Sequence, residues 1–131
     1  MDPIDKYNET NLFGKANNLE LTIIEKGHIE YTMKLEEKHL ALPSLIHGGA
    51  IAGLMDAVLS VAAFTSLSDK EKHVATVDFN INYLKPITSL ETIRGIGKVV
   101  RQGKKIIVSR GEIFNQKGEL VALGTGTIMI V

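Results

Sequence analysis

One carboxylate, Asp56, stands inside the most apolar run of the chain, Gly48-Gly-Ala-Ile-Ala-Gly-Leu-Met-Asp-Ala-Val-Leu-Ser-Val-Ala-Ala-Phe64, which His47 introduces. Burying an ionised acid is costly unless it is paired, hydrogen-bonded or put to use. Used, it suits general-base attack through a water or direct nucleophilic attack. Unused, it is a core acid held by backbone or hydroxyl donors, Ser60 at i+4 being one candidate, or a polar residue kept at a subunit interface. His47-Gly48-Gly49 adds a second feature. Glycines let another group approach the backbone, and the first amides of a helix are unpaired donors at the positive end of its dipole. Such amides suit an oxyanion developing on a carbonyl. Two glycines ahead of a helix equally serve a tight turn, and His47 equally serves as a hydrogen-bonder at the helix start.

Spacing constrains how these groups cooperate. Gly48 and Asp56 are eight residues apart, about 12 Å along one helix. A single reacting carbonyl cannot sit within about 3 Å of both. If both act on one bond, Asp56 must meet the Gly48 amide of a second copy. Two antiparallel helices side by side give that arrangement twice, so the functional reading predicts an obligate homodimer with shared sites.

The elements that must position these residues follow from periodicity. Residues 1–18 are polar with a few apolar points and read as an arm or short helix. Residues 19–131 read as one domain. Leu19–Lys26 and His28–Leu35 are strand-like runs joined at Gly27, Glu36–Ile46 is loop-like, and the helix runs from His47 to Ser66. Val74–Leu84 alternates, placing Val77, Phe79, Ile81 and Tyr83 on one face and Thr76, Asp78, Asn80 and Asn82 on the other. Thr76 there is either a hydroxyl that orients the acid or a water, or part of a solvated face. Leu90–Arg101, Lys105–Asn115 and Glu119–Val131 complete the strands, joined by glycine-containing turns. The sum is α+β. A helix apolar all round is best buried by a curved antiparallel sheet wrapped about it, a hotdog-like arrangement.

Composition narrows the partners. Lys plus Arg and Asp plus Glu both number 15, so no electrostatic pull toward nucleic acid or acidic membrane is expected. The absence of cysteine excludes disulfide scaffolds and Cys-ligated zinc, and fits a reducing, cytoplasmic setting. The polar N-terminus is no signal peptide. Gly48–Leu67 is long enough for a membrane span, but Asp56 at its middle and the strands around it point to a soluble core helix. Arg101, Lys104 and Lys105 cluster at a turn, where they either hold phosphates or form a solvated tip. No phosphate-binding glycine loop, dinucleotide fingerprint, histidine metal pair or serine-hydrolase elbow appears.

His47-Gly-Gly-Ala-Ile-Ala-Gly-Leu-Met-Asp56, together with Val74-Ala-Thr-Val-Asp-Phe-Asn-Ile-Asn-Tyr-Leu-Lys-Pro86, resembles the PaaI-type hotdog thioesterases over residues 19–131. The resemblance implies hydrolysis of acyl-coenzyme A without metal or bound cofactor, coenzyme A being part of the substrate. It implies a homodimer, commonly paired again into a homotetramer. By position, the Gly48 amide would polarise the thioester carbonyl, Asp56 of the neighbouring subunit would activate water or attack, and Thr76 would assist the acid. His47, Gly49, Ser60, Arg101, Lys104 and Lys105 are the accompanying candidates for substrate binding. In one departure, Ala41 stands where many members carry Asn or Gln, and Ser44 replaces a usual glycine. That departure favours the alternative of a hotdog protein that binds acyl-CoA without turning it over.

Overall fold

Leu, Ile and Val at alternating positions bury one face of each long strand, and that face closes on a single helix. The computed structural model describes residues 1–131. Helices α1 (Pro3–Thr10) and α2 (Leu12–Ala16) precede strands β1 (Leu19–Glu25) and β2 (His28–Lys34). A 3-10 turn (Glu37–His39) and the short strands β3 (Leu40–Leu42) and β4 (Leu45–Ile46) lead into helix α3 (Gly48–Thr65). Strands β5 (Val74–Tyr83), β6 (Thr92–Gln102), β7 (Ile106–Phe114) and β8 (Leu120–Ile130) follow. Six strands form one antiparallel sheet in the order β1-β2-β6-β7-β8-β5. This is the α+β, wrapped-helix architecture expected from periodicity.

Ile29, Tyr31 and Met33 of β2, Ile93 of β6, Ile107 and Ile113 of β7 and Ile128 of β8 face Leu54, Met55, Val58 and Leu59 of α3 in one buried cluster. Burying each large aliphatic side chain is worth about 1.5–3 kcal/mol. The helix lies directly on the sheet. A Cβ on Gly97 would fall 2.0 Å from the Val58 carbonyl oxygen, so only glycine fits beneath that turn. The 18 residues of α3, with a mean hydropathy of 1.6, are long and apolar enough to cross a membrane, yet half of them are buried inside the fold.

Several local expectations change. His47 and Ser66 are the caps of α3 rather than members of it. The sheet covers one side of the helix only: Ala52, Gly53, Asp56, Ala57 and Ser60 remain half-exposed. Thus the helix is apolar all round in composition but not buried all round. Its outer face carries small side chains, and at Gly53 the ring of Phe13 from α2 comes within 3.0 Å of where a Cβ would lie. The supposed loop at 36–46 contains the 3-10 turn and a miniature hairpin, in which Leu40 pairs with Ile46 and Leu42 with Leu45. Residues 3–16 fold as two short helices, with Asp2 and Asn11 as N-caps.

The largest correction concerns β5. Val74 to Thr76 pair with Ile130 to Ile128, and Asp78 then pairs with Thr127, leaving Val77 without a partner. This bulge shifts the alternation by one residue. Thr76 therefore shares the inner face with Val74, Phe79 and Ile81, whereas Val77 is exposed.

Candidate active site

The bulge in β5 turns the Thr76 hydroxyl toward α3, where Oγ1 donates to Asp56 Oδ1 at 2.7 Å. The chain supplies Asp56 Oδ2 with no donor. Both residues are half-buried. The acid is thus held by one oxygen and open at the other, which suits accepting a proton from a bound water. Ser60 does not reach the carboxylate, as it had been a candidate to do. Its Oγ donates to the Asp56 backbone carbonyl at 2.8 Å.

At the start of α3, His47 Nδ1 accepts from the Gly49 N–H at 2.8 Å. This cap commits one of the two glycine amides to the helix itself. The Gly48 N–H has no partner within the chain. Its carbonyl accepts from the Tyr83 hydroxyl at 2.8 Å, which ties the end of β5 to the helix start. Tyr83 gave only an apolar position in the strand pattern; its distal hydroxyl acts beyond the reach of periodicity. Gly48 is left with one unpaired amide at the positive end of an 18-residue helix.

Other candidates are not brought to this place. Arg101 is the penultimate residue of β6, and Lys104 and Lys105 occupy the turn into β7. Gln102 Nε2 donates to the Ser66 carbonyl, putting this turn at the far end of α3, about 15 Å along the axis from Asp56. None of the three cations forms an ion pair within the chain. Ala41 and Ser44 are exposed on the miniature hairpin.

Sequence reasoning missed the contribution of the N-terminal helix. Tyr7 of α1 packs edge-on against Phe64, with ring centroids 5.8 Å apart. Phe64 in turn stacks on His73 at 4.3 Å. Burial, and then the charge of nearby Asp56, push the Tyr7 phenol above its ordinary range.

Residues 44–122 match the family model of the thioesterase superfamily. The chain is similar to acyl-coenzyme A thioesterase 13 of Homo sapiens, at 30% identity over 121 residues, covering 86% of this chain and 85% of that one. Among solved structures it is similar to the Escherichia coli PaaI protein, with a TM-score of 0.90 and 23% identity over 98% of this chain and 91% of that one. A hypothetical thioesterase protein with coenzyme A from Streptococcus pneumoniae gives a TM-score of 0.83 at 26% identity, over 95% and 96% of the two chains.

Proposed function

The chain belongs to the thioesterase superfamily, and from that premise we propose that it hydrolyses acyl-coenzyme A at a site shared by two subunits. Asp56 of one subunit acts as general base. It takes a proton from water, and the oxygen attacks the thioester carbonyl. The Gly48 N–H of the other subunit carries the developing oxyanion. Collapse of the tetrahedral intermediate breaks the C–S bond, and the proton held by Asp56 passes to the departing thiolate. The products are a carboxylic acid and coenzyme A thiol. In this scheme Thr76 orients the base, and no metal or resident cofactor takes part.

The observation that carries this reading is the pair formed by a Thr76-held, half-open carboxylate and an unpaired Gly48 amide about 12 Å along the same helix. The small outer face of α3 supports close approach of a second helix. The assembly we infer is a homodimer, paired again as a homotetramer, working in the cytoplasm. Arg101, Lys104 and Lys105 would meet coenzyme A phosphates. Arg101→Ala should then raise KM severalfold with little change in kcat.

A thiol-release assay over a panel of acyl-CoAs tests the proposal. Asp56→Asn should lower kcat by about a thousandfold or more. Unchanged turnover in that variant would remove Asp56 from the chemistry. Single turnover in ¹⁸O water should put the label in the acid product; label in the Asp56 side chain would make it the nucleophile instead. A binding protein without turnover is the rival reading, drawn from the exposed methyl of Ala41 in place of an amide side chain. Calorimetric binding of acyl-CoA with no thiol released would establish that rival.

A further inference from the structure

Beside Asp56 lies an open-sided cavity of about 130 Å³, whose lining includes Thr76, Ser60, Tyr7, Phe64 and His73. Thr76 and Ser60 mark its near end, since one bonds the Asp56 carboxylate and the other its backbone carbonyl. Its far end is aromatic. Phe64 lies two helical turns beyond Asp56, and its side chain leans back toward the helix N-terminus, as helical side chains do. Tyr7 meets the Phe64 ring edge-on and His73 stacks on it. On the other side of Phe64 opens a second groove, of about 260 Å³, lined in part by Ile4, Ile23, Leu67 and Lys70. Phe64 lines both spaces and separates them.

We propose that the first cavity receives the acyl group and that Tyr7 and Phe64 form its end wall, which makes them the specificity-determining residues. This rests on the thioesterase reading above and names the substrates that site would take. A cavity of about 150 Å³ is known to hold a benzene ring. The space beside Asp56 therefore accommodates a short aliphatic acyl group, of roughly six carbons, or a single ring. A longer chain meets the Phe64–Tyr7 contact before it reaches the second groove, whose lining mixes apolar side chains with charged ones. Half of the wall comes from α1, so the N-terminal helix takes part in substrate selection.

The test is the chain-length profile of kcat/KM, from acetyl- to palmitoyl-CoA with benzoyl-CoA included, for wild type, Tyr7→Ala, Phe64→Leu and Asp56→Asn. Wild type should fall at least tenfold between hexanoyl and decanoyl. In Tyr7→Ala the ratio of decanoyl to butyryl kcat/KM should rise at least tenfold, because loss of the ring lengthens the first cavity alongside Phe64. Tyr7 sits on an outer helix, so this variant is the primary one; Phe64→Leu keeps a core side chain while shortening the wall, and should shift the same ratio in the same direction. If Asp56→Asn is inactive and neither variant moves the ratio, the wall assignment is wrong and the thioesterase reading stands. Wild-type turnover that holds level to palmitoyl would also overturn it. If Asp56→Asn retains wild-type turnover, the parent reading fails, and this inference fails with it.

Discussion

Thr76 is worth more to the site than its single hydroxyl suggests, because it fixes which oxygen of Asp56 is engaged and which is open. Thr76→Val keeps the shape and removes the donor. Misorientation of a catalytic group costs about a hundredfold, so kcat should fall by roughly 10–100-fold with KM little changed, and Thr76→Ser should restore most of it. A KM effect of equal size would assign Thr76 to substrate binding instead. Gly48 offers a complementary test. Proline is favoured at the first helical position, and His47 before it is already extended at ψ 132°, as a residue preceding proline should be. Gly48→Pro should therefore fold, lose one amide and lower kcat by about 10²–10³. Asp56 and Gly48 were legible in the sequence because an acid in an apolar run and a glycine pair before a helix are local signals. The direction of Thr76 was not, because one unpaired residue in β5 reverses the parity that alternation relies on. The Tyr7–Phe64 contact was equally invisible, since it joins residues far apart in the chain through their ring edges.

At the scale of elements, the seating of α3 on the sheet and the anchoring of the segment before it make separate demands. Gly97→Ala would force the helix backbone away from β6. Overpacking of this kind costs about 1–3 kcal/mol, to be read as a lower urea midpoint with an unchanged slope. Ahead of α3, buried His39 accepts from the Glu36 N–H through Nδ1, and its Nε2 meets Asn17 Oδ1 at 3.1 Å. That geometry needs the neutral ring with its proton on Nε2. Burial and then the charge of Lys38 lower the His39 pKa below its ordinary 6.5, in agreement with the geometry. The unfolded chain thus binds this proton more readily than the folded one. The stability that His39 contributes is complete above pH 6.5 and is lost as pH falls through the folded pKa. Among the four histidines, NMR titration should find His39 shifted below 6.5; an upward shift would contradict the assigned tautomer. The long elements were legible to within two residues at their ends, because their periodicity is carried by many side chains. The 36–46 segment was not, because its miniature hairpin and 3-10 turn are held by a few specific hydrogen bonds.

For the whole molecule, the decisive question is whether one site needs two chains. Asp56→Asn and Gly48→Pro damage opposite halves of the proposed site. Heterodimers of the two variants would contain one intact site, formed by Asp56 of the Gly48→Pro chain and Gly48 of the Asp56→Asn chain. Mixing the inactive parents under exchange should therefore recover up to about a quarter of wild-type activity: half of the dimers, each with one of two sites. No recovery, with heterodimers verified by mass spectrometry, would place the whole reaction within one subunit. The fold was legible at this scale because an 18-residue apolar helix flanked by strands leaves few ways to bury its apolar side. That a second subunit covers its other side is a proposal, and in the sequence it rests on the distance between Gly48 and Asp56. The Gly97 contact bears on how such a protein can change over evolutionary time. Asp56 stands two residues before Val58, whose carbonyl rests against the sheet, so the height of the acid is set by backbone on backbone. A side chain gained at that one residue of β6 would lift the acid away from Thr76 while leaving every residue of the site unchanged.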